Sequence, residues 1–190
     1  MTRGHGCGRE QQGRSEPGDA HGAVHNDRVT GRTAYPFEPK SIARLQAGQF
    51  WAVPLPDGRH ACGRVLHVPS TADSLYLNSR VFLAGLMDWS GSEPPTSEAI
   101  AGRGIIAQGR MHVAAIRDTS SRIIGQRGLE LDAITGLREV SHRGGGAVWL
   151  YEGGLRLRPA TAEETRTLPV MSVWGRQFIQ VLAEKHLARG

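Results

Sequence analysis

The sequence predicts an α+β fold, a β-rich core closed by a helix at its C-terminal end. Glycine and proline are frequent, 25 and 10 in 190 residues, and so many turn formers favour strands over a helix bundle. Two β-rich runs flank Pro56-Asp57-Gly58, where proline presets φ and glycine accepts a positive φ after aspartate, a strong hairpin signal. At the C-terminal end, Thr161-Ala162-Glu163-Glu164 fits a capping box and Pro169 stops the short helix it opens. A longer helix is then expected from about Ser172 to Leu187, with Trp174, Phe178, Val181 and Leu182 as its buried stripe.

A chain of 190 residues suffices for one well-buried core and falls short of two comfortable domains. Residues 1–32 hold hardly any large apolar side chain beyond Val24 and Val29. Such a segment cannot bury enough surface to offset its ordering entropy. The expected organisation is therefore a disordered tail over 1–32 and a single globular domain over 33–190. His5, Cys7, His21 and His25 in the tail match no standard metal spacing. Order is expected from Tyr35-Pro36-Phe37, with a helical turn over Ser41–Leu45 ended by Gly48.

Within the hairpin, Pro54 marks an edge or a strand end, and Gly63 marks a bulge or a close backbone approach. Cys62 reads as a small buried apolar residue. Further strands are expected at 80–84, 104–108, 111–116, 123–124, 129–131 and 147–151. The stretch 90–98, with Pro94, Pro95 and several serines, reads as an exposed loop, and Gly144-Gly145-Gly146 as a flexible turn. Glu152-Gly153-Gly154 turns the 147–151 strand into Leu155-Arg156-Leu157-Arg158, whose alternation implies a sheet with one wet face.

Chemistry-bearing motifs are missing from the sequence. It has no Walker-type glycine loop, no dinucleotide fingerprint, no Gly-x-Ser-x-Gly elbow and no His-Glu-x-x-His or paired Cys-x-x-Cys. His60, His67, His112 and His142 lie in or near expected strands, but a general base needs a partner within reach, and spacing supplies none. Asp88 and Asp132 are lone carboxylates. The reading is of a binding protein and not an enzyme, with no cofactor and no metal. No apolar run approaches a membrane span, and the start Met1 to His5 lacks a secretory apolar stretch. The cytoplasm is the expected compartment, and no membrane is expected as a partner.

The formal charge is +5 and the pI about 9.9, which raises nucleic acid as a partner. Of 23 basic residues only Lys40 and Lys185 are lysines, and the arginines are scattered rather than clustered, so nucleic acid is not the expected one. Trp51 and Trp149 are expected in the core, and Trp89 as an exposed anchor.

The hairpin stretch resembles the opening of the immunity protein 26 family of bacterial polymorphic toxin systems. The similar residues are Gly48, Phe50, Ala52, Val53-Pro54-Leu55, Asp57-Gly58 and Gly63-Arg64-Val65-Leu66. Val81-Phe82-Leu83 with Asp88, and Ile105-Ile106, extend it more loosely. The resemblance implies an α+β fold with a strongly bent antiparallel sheet, and neutralisation of a cognate toxin domain by tight binding. It transfers no catalytic or binding residue. Residues 33–190 carry 18 basic against 14 acidic side chains, so charge does not steer this surface toward a basic nuclease. The expected partner is neutral or acidic, or is met by a local acidic patch. Asp88, Trp89, Arg103 and Arg110, placed on loops beside strands, are the expected contacts. The alternative reading is a small nucleic-acid-binding module with an Arg-rich sheet face made by Arg138, Arg143, Arg156 and Arg158.

Overall fold

The computed structural model describes residues 34–70, 80–141 and 146–187. The expected tail and its histidines and Cys7 lie outside them, as do His142, Arg143, Gly144 and Gly145. Among the described residues the strands are β1 (Gln49–Pro54), β2 (His60–His67), β3 (Val81–Gly91), β4 (Ile105–His112), β5 (Ile123–Gln126), β6 (Arg138–Ser141), β7 (Trp149–Glu152), β8 (Leu155–Pro159) and β9 (Val173–Trp174). The helices are α1 (Ala114–Asp118), α2 (Ala162–Thr167) and α3 (Phe178–Leu187). The class is α+β, with the C-terminal helix packed on a largely antiparallel sheet.

The strands form a six-stranded sheet, ordered β5-β1-β2-β3-β4-β9, and a three-stranded one, β6-β7-β8. Every pairing is antiparallel except β4 with β9. Register shifts interrupt the β1–β5, β2–β3 and β3–β4 ladders, and such shifts bend and twist strands. The hairpin forms as expected: Phe50 faces Arg64 and Pro54, the last residue of β1, faces His60. Leu55 donates its N–H to the Arg59 carbonyl, and Gly58 has φ +83°.

One face of the larger sheet holds Trp51, Val53, Val65, Phe82, Leu86, Met111 and Ile123, covered by Ile116 of α1 and by Ile179 and Ala183 of α3. The other face carries a smaller cluster, Phe50, Cys62, Met87 and Ile100. With both faces covered, β2 and the first half of β3 are buried at almost every position, so neither shows the alternation of a half-wet strand.

Gly63 is needed for close approach. A Cβ built on it would lie 2.2 Å from the Trp51 ring, and the β2–β3 register also shifts between Ala61 and Gly63. Replacing Gly63 by Ala is expected to cost about 1–3 kcal/mol through overpacking. Gly104→Ala, where a Cβ meets nothing within 4 Å, should change stability by less than about 0.5 kcal/mol. Urea midpoints for the two variants test this, and equal midpoints would overturn it.

Several expected elements are corrected. The strand at 80–84 extends to Gly91, so Ser90 and Gly91 leave the expected loop, in which Pro95 is also buried. The strands at 104–108 and 111–116 are one strand, β4, followed by α1. Residues 129–132 form a 3₁₀ turn, not a strand. The long helix starts at Phe178, and Trp174 instead belongs to β9. Its ring lies over Gly109, its Nε1–H donates to Ser172 Oγ, and Arg110 N–H donates to the Ser172 carbonyl. Sheet pairing thus claims residues that helical periodicity had claimed. Ile179 and Ala183 form the buried stripe of α3, while Phe178 and Val181 are 42% and 55% exposed. The Thr161–Glu164 capping box is present on α2, and Ser41 caps the turn over Ile42–Arg44.

Candidate functional site

Alternation along β1 sends Trp51 and Val53 to the helix-covered face and Phe50, Ala52 and Pro54 to the other. Ile100 and Ile134, from the segments before and after β4–β5, roof the second face over Phe50, Cys62 and Met87. Beyond that roof, Ala52, Pro54, His60 and Ile124 are left as the floor of a cleft of about 410 Å³, walled by Pro36, Pro94 and residues 119–122. That volume lies in the range of sites that seat a ligand or a partner's anchor side chain.

The 119–122 wall is built by the end of α1. Thr119 Oγ donates to the Ala115 and Ile116 carbonyls, and Ser121 Oγ donates to the Ala52 carbonyl. Between them Ser120 takes a left-handed backbone, φ 55°. A non-glycine residue holds that conformation only when its surroundings impose it. Among the described residues the ionisable groups lining the cleft, His60 and Arg122, are both bases. His60 Nδ1 is buried and has no hydrogen-bond partner among the described residues. Arg122 is exposed.

Of the four expected contact residues, Asp88, Trp89 and Arg103 lie at one end of the β3–β4 pair, where Asp88 N–H donates to the carbonyl of Gly104, next to Arg103, while Arg110 lies apart. Asp88 is exposed, but within β3 rather than on a loop. Trp89, also in β3, is half-buried against the second cluster rather than projecting. A Cβ on Gly91 would lie 2.8 Å from its ring, so Trp89 supports the turn that leads to Pro94. Arg103 is exposed on the loop before β4. Arg110 lies in β4, not on a loop; it is 4% exposed and paired with buried Glu139 of β6.

The residues of the hairpin motif build the scaffold. Gly48 (φ +87°) packs against the Arg127 carbonyl. Phe50, Leu55 and Val65 are core residues, while Pro54 ends β1 and Asp57-Gly58 make its turn. Arg64 has a role that spacing did not reveal. Its guanidinium is fully buried and donates to Asp132 Oδ2 at 2.7 Å and to the Arg127 and Gly128 carbonyls. Asp132 Oδ1 also accepts from Arg127 Nε and from the Gly102 N–H. This clasp fastens both roof segments to β2.

Among the described residues, Arg138, Arg156 and Arg158 do not make the Arg-rich face of the alternative reading. Adjacent Leu150 and Tyr151, which point to opposite faces, pair with Arg158 and Arg156, and Leu157 is skipped. The bulge turns the two arginines to opposite sides. Arg156 stacks over Trp149 at 4.5 Å, and Arg158 pairs with Glu164 of α2. Arg138 sits beside Glu152. All of β8 is exposed, leucines included, so it has no buried face. A bulge together with Pro159 is the kind of device that blunts a sheet edge. Trp149 is half-buried, and Trp51 is fully buried.

The remaining titratable groups lie apart. Burial pushes the Cys62 thiol well above its ordinary value. Burial, then Arg80, Arg176 and Arg117, lowers the His112 pKa, and its Nδ1 accepts from the Ala114 N–H. Among the described residues no three His, Cys, Asp or Glu side chains gather as for a metal ion, and no helix is long and apolar enough to cross a membrane.

A family model described as Immunity protein 26 matches residues 46–143, the stretch that contains β1 to β6, the clasp and most of the cleft. No curated protein and no solved structure matches the chain.

Proposed function

The chain belongs to the immunity protein 26 family, and we propose that it neutralises its cognate toxin by binding it directly in the cytoplasm, without catalysis of its own. The carrying observation is the span of the match, which takes in the strands that frame the cleft and both segments that roof the sheet. In this reading residues 33–190 are the single domain that carries the activity. Asp88 and Arg103 offer exposed charge to the toxin. Trp89 and Arg110 act from beneath the surface, by holding a turn and a strand in place. Nucleic acid is a poor fit, because Arg138, Arg156 and Arg158, the described arginines of that face, lie on opposite faces or in ion pairs.

The test is co-expression with any toxin domain that a neighbouring gene encodes. Growth should be restored, and the two chains should co-purify as a complex stable through gel filtration. Toxicity that persists, with no complex, would overturn the reading. Rescue without a complex would overturn direct binding.

A further inference from the structure

We propose that the cleft floored by Ala52, Pro54, His60 and Ile124 receives an apolar side chain of the toxin that has a carboxylate beside it, and that Arg122 takes the carboxylate. The inference rests on the binding reading and assigns its surface.

Three properties of the cleft define the occupant. Its lining is mainly apolar, with Pro36, Pro54, Pro94 and Ile124, and an apolar side chain is what such a surface gains by excluding from water. At about 410 Å³ it has room for one large anchor and its flanking backbone, the kind of pocket in which interface energy concentrates. Its ionisable liners among the described residues are bases. Arg122 presents a planar fork that matches a carboxylate with two parallel hydrogen bonds. His60, the other base of the lining, keeps its Nδ1 buried, with no hydrogen-bond partner among the described residues. The 18-to-14 excess of basic residues over 33–190 favours the same sign of partner.

The cleft is also rigid before it is filled. Proline fixes φ at three wall and floor positions. The left-handed Ser120 is held between the Thr119 and Ser121 hydrogen bonds to backbone carbonyls. A preformed site spares the ordering entropy that a loop would lose on binding.

The experiment titrates the full chain with the toxin domain against which it rescues growth, comparing the wild type with Ala52→Trp, Arg122→Glu and the distant Leu157→Ser. Ala52→Trp fills the cleft, and Arg122→Glu reverses its exposed cation. Each is expected to weaken binding by about 30-fold or more with an unchanged unfolding midpoint, and Leu157→Ser by less than about threefold. Wild-type-like affinity in both cleft variants, with rescue by the wild type intact, would overturn the cleft and leave direct binding standing. A loss confined to Ala52→Trp would overturn the carboxylate and with it the proposal as stated. A wild type that binds no toxin removes the reading itself. If Ala52→Trp fails to fold, exposed Arg122 still decides.

Discussion

Replacing Asp132 by Ala is expected to lower the unfolding free energy by about 3–5 kcal/mol, because it strands a buried cation. Arg64 is fully buried and directs one nitrogen at Asp132 Oδ2 at 2.7 Å. The carbonyls of Arg127 and Gly128 remain to it after the substitution, but no countercharge among the described residues does. Gly102 N–H and Arg127 Nε lose their acceptor as well. The roof segments carrying Ile100 and Ile134 should then lift from Phe50, Cys62 and Met87. Thiol labelling reads this directly, since Cys62 is the cysteine beneath that roof; Cys7→Ser removes the competing thiol. Arg64→Met combined with Asp132→Leu should recover most of the loss, since an apolar pair of similar volume leaves no charge behind. A single-variant loss under about 1 kcal/mol, with Cys62 still protected, would refute the clasp.

The same carboxylate sets an acid limit. Burial pushes the Asp132 pKa up, but the Gly102 N–H, Arg64 and Arg127 outweigh it and hold the group below 3.8. Between the folded value and 3.8 the unfolded chain binds more protons than the native one, so stability rises with pH across that window. Its contribution is present above 3.8 and is lost as pH falls through the folded value. Urea unfolding from pH 2 to 5 should show this slope in the wild type and a shallower one in Asp132→Ala, where Glu164 and Asp57, held low by Arg158 and Arg59, keep the remainder.

What the residues disclosed and what they concealed divide along sequence distance. The hairpin was legible because Pro56-Asp57-Gly58 dictates its own geometry within a few bonds. The α2 capping box was legible for the same reason, and Gly63 because a glycine inside a strand marks a bulge or a close approach. Trp174 was misplaced because its helical spacing to Phe178 is local, while the pairing that claims it comes from β4, far back in the chain. The short strand β6 went unseen because four residues give no period, and its pairing is decided by β7. Arg64 stood in the motif and Asp132 stood as a lone carboxylate 68 residues later. Their union is a tertiary fact that no window contains. The cleft is harder still, since it exists where the roof stops, and its lining is drawn from segments as separate as Pro36, Pro94 and Arg122.

Glu139→Ala should cost about 1.5–3 kcal/mol, the loss of a buried charge-assisted hydrogen bond, and should act on a different boundary. Arg110 and Glu139, 5% and 2% exposed at their side chains, join β4 of the larger sheet to β6 of the smaller. Gln108 Nε2 donates to the Arg138 carbonyl beside them. The segment through Val170 ties the same two strands, with Val140 N–H donating to the Pro169 carbonyl and Arg110 N–H to that of Ser172. Removing the carboxylate leaves Arg110 buried at a seam between sheets, so β6–β8 should lose amide protection before β1–β4 do. The pH signature is opposite in sign to that of Asp132. Burial lifts the Glu139 pKa above 4.5, and Arg110 only partly pulls it back. Between 4.5 and the folded value the native chain binds more protons than the unfolded one, so this group's contribution is greatest below 4.5 and declines as pH rises through the folded value. Glu139→Ala should therefore flatten the decline and leave the acid loss set by Asp132 untouched. Hydrogen exchange and urea unfolding across pH 3 to 8 measure both. Uniform loss of protection over the two sheets, or an unchanged slope above 4.5, would show that the pair does not hold the seam.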